Sequence, residues 1–468
     1  MMKEDLQDTI CAVSTAAGAG GIAVVRVSGA EALTVCDALF TPYRREGCLA
    51  TQAAYTVSYG TLRDGDEVVD DAMATVFRAP HSFTGEDTVE ISCHGSLYVQ
   101  QQVMQLLVRA GCRIAAPGEF TQRAFLNGKM DLSQAEAVAD LIASTSAGMH
   151  RVALNQMRGG FSRELVQIRE QLLHFTSLME LELDFAEEDV TFADRSQLTQ
   201  LAAAIEAHLS RLVRSFSLGN AIKNGIPVVI VGETNVGKST LLNHLLNEEK
   251  AIVSEVHGTT RDAIEDVISV NGISFRFIDT AGLRDTDSEV EMMGIERTYA
   301  KITQASIIVW MIDATQFSEK IENIAEKIIP RIEGKPLIIV INKIDRLTEE
   351  EQQVLDGEFL PQIPAKRIYL SAKYRQNTEA LEAALLEAAR LPEIDGSGFI
   401  VSNARHYEAL SRALEAIHRV EEGLRQGASG DFVTQDIREC CHHLGVITGE
   451  ISTDEILGNI FKNFCIGK

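Results

Sequence analysis

Directly after the apolar run Pro227-Val-Val-Ile-Val231, the chain reads Gly232-Glu-Thr-Asn-Val-Gly237-Lys238-Ser239. No other stretch restricts the fold as much. Glycines at this spacing, between a buried strand and a helix start, let backbone N–H groups wrap phosphate oxygens. Lys238 is placed to neutralise β- and γ-phosphate charge, and the Ser239 hydroxyl to ligate Mg2+. A strand, loop and helix joined in this way need a parallel sheet behind them, with the ligand beyond the carboxyl ends of its strands.

The flanking sequence supplies that sheet. Buried-type runs recur at 227–231, 273–278, 306–312, 336–341 and 367–370, most of them separated by helical segments. Near-continuous apolar strands mark a parallel sheet covered on both faces. The remaining motifs fall at the ends of these strands. Asp279-Thr-Ala-Gly282 follows the second run; its aspartate is expected to hold the magnesium shell through water, and its glycine N–H to sense the γ-phosphate. Asn342-Lys343-Ile-Asp345 ends the fourth. A carboxylate there accepts hydrogen bonds from guanine N1–H and the 2-amino group, which adenine cannot offer, so the base expected is guanine. Ser371-Ala372-Lys373 suits the loop that backs the base. Gly258-Thr259-Thr260-Arg261-Asp262 lies where switch I belongs, with Thr260 the hydroxyl that completes the magnesium shell. Leu283-Arg284 stands where small GTPases place a water-orienting glutamine just after this glycine. Hydrolysis then needs help from outside the domain or a carboxylate farther along. Asp285, Asp287, Glu289 and Glu291 are candidates that sequence physics alone does not separate.

The rest of the chain reads differently on each side. Residues 1–127 carry short β-type runs at 22–27, 55–59, 72–77 and 88–91, a turn at Arg63-Asp-Gly-Asp66, and a helix around 97–110 that stops at Gly111. From 133 to 218 the pattern is nearly continuous helix without proline, with Leu165, Ile168, Leu172 and Phe175 on one face. A second helical tract covers about 402–463, including Tyr407, Leu410, Leu414 and Ile417. The economical reading is one helical domain, 128–220 and 393–468, with a P-loop domain, 221–392, inserted into it.

Composition narrows the partners. Lys+Arg minus Asp+Glu is 43 − 67 = −24, and so acidic a chain is a poor ligand for nucleic acid by itself, because such binding rests on phosphate neutralisation. If it serves RNA chemistry, a basic partner or local basic patch does the holding. No apolar stretch reaches the length of a membrane span, and the start, MMKEDLQDTICAV, has acidic residues where a secretory signal carries positive ones; a cytoplasmic protein is expected. Eight cysteines without a CxxC pair read as free thiols. Cys440-Cys441-His442-His443 looks metal-like, but adjacent helical residues point about 100° apart, so the four cannot converge. The carboxylates Glu182, Asp184, Glu187, Glu188 and Asp189 read as a solvated face, and Gly18-Ala-Gly20-Gly21 as a turn.

Over nearly its full length the chain resembles the MnmE (TrmE) family of tRNA-modification GTPases. The residues carrying the resemblance are Gly20-Gly21-Ile22 with Arg26-Val-Ser-Gly29, Phe83-Thr-Gly-Glu-Asp87 with Glu90, Ala124-Phe-Leu-Asn-Gly-Lys129, the loop with Asn235, Gly258 to Asp262, Asp279 to Arg284, and Phe464-Cys465-Ile466-Gly467-Lys468. The resemblance implies a multidomain α/β chain: an N-terminal α/β folate-binding-like and dimerisation domain, a discontinuous helical domain and an inserted Ras-like P-loop GTPase domain. It implies a homodimer working with the FAD-dependent flavoprotein MnmG, in a heterotetramer, to build an aminomethyl-type (carboxymethylaminomethyl) group at C5 of the wobble uridine of certain tRNAs, with a folate one-carbon donor.

Residue roles follow from the same resemblance. Asn235, Ser254, Val256 and Thr259 would hold potassium, and Glu291 would orient the attacking water. Val236, Gly237, Thr240, Glu255, His257, Thr280 and Ala281 would join the motif residues around GTP. Arg26, Glu90, Lys129 and Lys468 would bind 5-formyl-tetrahydrofolate or a related folate. Cys465 reads equally as a thiol near the chemistry and as a buried inert one. One departure is the loop interior Glu233-Thr234, where the family usually has other residues, often with proline before the asparagine. Two further readings stand beside this one: a GTP-regulated switch for RNA or ribosome assembly, and a one-carbon transferase regulated by GTP.

Overall fold

The computed structural model describes residues 8–43, 48–184, 195–233, 235–249, 266–278, 302–315, 329–332, 334–348, 351, 365–390, 399–452, 454–462, 464 and 467. It divides into two compact units, one of Met1–Ala143, Ala153–Leu209 and Ala409–Lys468, the other of Ser144–Val152 and Ser210–Glu408.

The first unit is built on strands β1 (Ile10–Val13), β2 (Ile22–Ser28), β3 (Phe40–Pro42), β4 (Thr56–Asp64), β5 (Glu67–Phe77), β6 (Thr88–His94) and β7 (Arg113–Ile114). They form one sheet in the order β3-β4-β5-β6-β2-β1-β7, antiparallel except where β1 meets β7. The turn at Asp64 to Glu67 lies at the expected place, with Gly65 at φ +62°. Strand alternation decides what each face does. Val25, Val27, Val89, Ile91, Ala74 and Cys11 face helices α1 (Ala32–Leu39) and α2 (Leu97–Arg109) and form the core. On the other face Ile10 and Ala12 pack with Phe83, Ala115 and Phe120, while Val57, Tyr59 and Met73 stay exposed.

Helix α3 (Glu119–Leu126) leads into α4 (Leu132–Ala143), α5 (Ala147–Met157), the long α6 (Gly160–Asp184) and α7 (Arg195–Asn224). Late in the chain come α10 (Ala404–Gln426), α11 (Gly430–Thr448) and α12 (Asp454–Phe461), so the two expected helical tracts are present. Leu132 and Ala135 of α4 pack with Leu457 and Phe461 of α12, and Phe125 and Phe464 close the cluster. Distant sequence thus joins the first unit through ordinary apolar burial.

A buried charge network secures the N-terminal edge of this sheet. The Arg123 side chain is 1% exposed and donates to the Asp8 backbone and carboxylate, both at 2.7 Å, and to Glu119 at 3.0 Å. Arg113 pairs with Glu119 and Asp8 from the other side. The Arg113 hydrogen bond pulls the Asp8 carboxyl below its ordinary pKa. At Glu119 burial works upward, but Arg113, the Ala116 amide and Arg123 outweigh it and the net shift is downward.

The second unit holds β8 (Ile226–Val231), β9 (Asp266–Val270), β10 (Ile273–Phe277), β11 (Ile307–Asp313), β12 (Leu337–Asn342) and β13 (Lys366–Leu370), with α8 (Lys238–Glu249) and α9 (Thr378–Ala388). The order is β13-β12-β11-β8-β10-β9. Five strands are parallel as expected. β9 is not: it runs antiparallel to β10 across Asn271-Gly272, a two-residue hairpin whose positive φ angles of 52° and 81° suit Asn and Gly. Apolar clusters cover both faces, one around Val228, Ile230, Leu241 and Phe275, the other around Val229, Val231, Trp310 and Ile339.

Substituting Met for Arg123 leaves Glu86 without its cation and Glu119 and Asp8 with Arg113 alone, and we expect the first unit to lose about 3–5 kcal/mol. The measurement is the urea midpoint by tyrosine fluorescence, with the chain's single tryptophan, Trp310 in the second unit, as internal control. Carboxyls lowered by folding stabilise at neutral pH and lose that contribution as the pH falls below the ordinary carboxylate range, about 4. Glu119→Gln should therefore make the acid transition of this unit shallower; an unaltered transition would exclude the network as its origin.

Candidate functional site

At the carboxyl ends of β8, β11, β12 and β13 three of the expected motifs meet. The loop after β8 turns at Asn235, φ +63°, and Gly237, φ +104°, before α8 begins at Lys238. Lys238 Nζ donates to the Gly232 and Glu233 carbonyls at 2.6 Å each, so the ammonium bridges the loop. Ser239 is half-buried in the first turn of α8, Val236 is buried below it, and Thr240 is exposed.

Asn342 joins the loop to the other two motifs. Its Nδ2 donates to the Val236 carbonyl at 2.7 Å, and its Oδ1 accepts the Ala372 amide at 2.9 Å. This fixes why Gly237 is glycine: a Cβ there would stand 2.4 Å from Asn342 Nδ2, and its φ is left-handed. Asp345 is exposed, and its Oδ1 accepts from the buried Ser371 hydroxyl at 2.6 Å. One carboxylate oxygen is thereby fixed while the group as a whole faces outward, the condition for selecting a base by its hydrogen-bond edge. Lys373 is exposed and stacks its ammonium 4.9 Å from the Tyr374 ring.

Asp313 was not among the sequence candidates. It is 4% exposed at the end of β11 and accepts from Lys343 Nζ at 2.5 Å and from the Thr315 amide and hydroxyl. Burial acts to raise its pKa, but Lys343 and Thr315 outweigh that and the net shift is downward. Lys343, in left-handed backbone at φ +68°, is held by this ion pair. The signal was legible as a lone carboxylate ending an otherwise apolar strand.

The first unit carries a second cluster. Arg26 and Glu90 are directly opposed on β2 and β6 and joined by hydrogen bonds of 2.9 and 2.8 Å. The guanidinium lies 5.4 Å from the Phe83 ring and 5.6 Å from Phe120, a cation–π setting that orients it. Lys129 Nζ donates to the Pro80 carbonyl at 2.8 Å, beside the same 80–85 loop. Asn127 donates to the Thr84 carbonyl at 2.8 Å, and Ser28 donates to Glu86 at 2.8 Å. The segments at 26–28, 80–90 and 127–129 therefore interlock on one face of the sheet. Gly20 and Gly21 exchange backbone hydrogen bonds with Gly95, in a loop without regular structure.

Ser254, Glu255, Val256, His257, Gly258, Thr259, Thr260, Asp279, Thr280, Ala281, Gly282, Asp285, Asp287, Glu289, Glu291, Cys465 and Lys468 lie outside the described residues. Cys440 and Cys441 are buried on α11, and burial pushes the Cys441 thiol up to about 11. Among the described residues no helix is long and apolar enough to cross a membrane.

Comparison with known proteins adds to this geometry. The family described as MnmE helical domain matches residues 132–465, and that described as GTP-binding protein TrmE N-terminus matches 9–129. The chain is 58% identical over 464 residues to the tRNA modification GTPase MnmE of Bacteroides thetaiotaomicron, covering 99% of this chain and 100% of the relative. With the protein of the same description from Parabacteroides distasonis it shares 58% over 462 residues, 98% and 100% of the two chains. Among solved structures, Era in complex with MgGDPNP and 16S ribosomal RNA is 28% identical, covering 41% of this chain and 66% of that one, at a TM-score of 0.27; so low a score carries no argument.

Asn342→Ala would remove the hydrogen bonds to the Val236 carbonyl and the Ala372 amide. The expected cost is about 2–4 kcal/mol in the second unit, read as a lower unfolding midpoint by Trp310 fluorescence; a shift well under that would mean the bridge is replaceable.

Proposed function

Since the chain belongs to the MnmE (TrmE) family of tRNA modification GTPases, we propose that its GTP hydrolysis is stimulated by potassium and serves, with an FAD-dependent MnmG-type partner, the installation of a carboxymethylaminomethyl-type group at C5 of a wobble uridine. The observation that carries the reading is the junction of the phosphate loop, Asn342 and the 371–373 loop, with Asp345 presented beside it.

In this reading Lys238 gives up its loop carbonyls for phosphate oxygens, and Asp345 pairs the guanine edge. Ser239 and Thr260 would ligate Mg2+, which supplies charge neutralisation at the phosphates. Asn235 is exposed and offers an amide oxygen, a donor suited to a hard cation. With Ser254, Val256 and Thr259 it would hold potassium, which would supply the positive charge that an arginine finger supplies elsewhere. Glu291 orients the attacking water. Arg26 and Glu90, each only partly exposed, fit a ligand with both a hydrogen-bonding ring edge and carboxylates. Together with Lys129 and Lys468 they would hold 5-formyl-tetrahydrofolate or a related folate, the source of the one-carbon unit.

The same reading divides the chain into 1–127, 128–220, 221–392 and 393–468, places it in the cytoplasm, and makes it a homodimer. The exposed Tyr43, Val57, Tyr59 and Met73 on the uncovered part of the N-terminal sheet support a face between two copies. Transfer RNA would be held largely through the partner, given the net charge of −24.

Four measurements test it. GTP turnover in KCl should exceed that in NaCl at equal ionic strength, and equal rates would remove the Asn235 site. Asp345→Asn should reduce the preference for GTP over ATP by about 100-fold. Glu291→Ala should keep GTP affinity and slow hydrolysis by about 100-fold or more, whereas undiminished turnover would assign the water to another group. For the product, mass spectrometry of wobble nucleosides from cells lacking this protein should show the modification missing. A normal profile would favour an assembly switch instead.

A further inference from the structure

We infer that Ser14 is a positioning residue that latches the backbone at Gly467 onto the Arg26–Glu90 face of the N-terminal sheet. Its Oγ donates to the Gly467 carbonyl at 3.0 Å, across 453 residues of sequence. Ser14 is itself fixed: its amide donates to the Val24 carbonyl at 2.7 Å, adding a rung beyond the last β1–β2 pair, Val13 and Val25. The Thr15 hydroxyl accepts the Val24 amide at 3.4 Å.

The register says where the latch delivers its cargo. Ala12, Arg26 and Glu90 form one row across β1, β2 and β6. Ser14 lies two residues beyond Ala12, hence on the same face and about 7 Å along the strand. The tail carbonyl is therefore set down beside the Arg26–Glu90 pair, on the face that α1 and α2 leave to other elements. Gly467 suits the approach: it is buried, its φ is +94°, and a Cβ would stand 2.3 Å from the Val13 carbonyl. A few residues earlier in sequence, Phe461 and Phe464 pack against α3 and α4. Ser14 supplies the final hydrogen bond that holds it there. Its role is to complete a binding surface drawn from both ends of the sequence, which on the reading above takes a reduced folate.

The test separates the latch from the ligand. Amide hydrogen exchange of the peptide containing Gly467, followed by mass spectrometry on the full chain, should accelerate in Ser14→Ala. Titration of the same proteins with 5-formyl-tetrahydrofolate should show affinity about 3–10-fold weaker in Ser14→Ala. Ser14→Thr, which keeps the hydroxyl, should restore both readouts, and Gly467→Ala should lose more than Ser14→Ala in each. Unaltered exchange in Ser14→Ala, or a Thr variant as impaired as the Ala one, overturns the latch. If the unsubstituted protein takes up no folate, the ligand reading falls while the exchange comparison still decides the latch.

Discussion

The carboxamide of Asn342 holds together what would otherwise be three separate loops. One end fixes the backbone of the glycine-rich loop at Val236, and the other fixes the segment after β13 at Ala372. Both partners are backbone groups, so the bridge sets main-chain positions rather than a side-chain preference. Glycine at 237 follows from it, since the amide occupies the space a Cβ would need. The hydrogen bond from Ser371 to Asp345 and the ion pair of Lys343 with Asp313 then orient the neighbouring groups on a frame already fixed. In a buried setting such a network is strong when every member is paired, and weak when one is not.

The first unit solves a different problem. Its sheet has one face sealed by α1 and α2, and the opposite face is left to α3, to loop residues and to chain that arrives from far downstream. Charged residues can stand on such a face because neighbours compensate them. Arg26 meets Glu90 and two aromatic rings, and Arg123 meets three carboxylates. The two arginines nevertheless differ in use. Arg123 is sealed and structural, while Arg26 keeps enough exposure to meet a ligand.

Much of this was readable beforehand because the strongest signals are local. Buried strands such as 307–313 and 337–342 announce themselves as unbroken apolar runs, and the phosphate loop as a fixed spacing of glycines. β9 escaped notice although Asn271-Gly272 marks its hairpin, because Asp266-Val-Ile-Ser-Val270 at a sheet edge mixes polar with apolar residues. β1 escaped because four residues give periodicity too little length. Asp313 and Ser14 are of another kind. Their partners, Lys343 and Gly467, are chosen by the fold and not by nearby sequence, so no periodicity could have revealed the pairings, although Asp313 itself stands out as a lone carboxylate ending an apolar strand. The functional groups assigned to the switch segments rest on the sequence and on family membership, because those segments lie outside the described residues.

The bond between Ser14 and Gly467 also bears on how the protein comes into being. A ribosome adding roughly 5–20 residues per second needs on the order of half a minute to two minutes to cover the 453 positions between them. For that interval the nascent N-terminal sheet must lack this part of its surface. Maturation of that surface is thus timed by synthesis itself: a truncated product released early would be incomplete where these two distant segments meet.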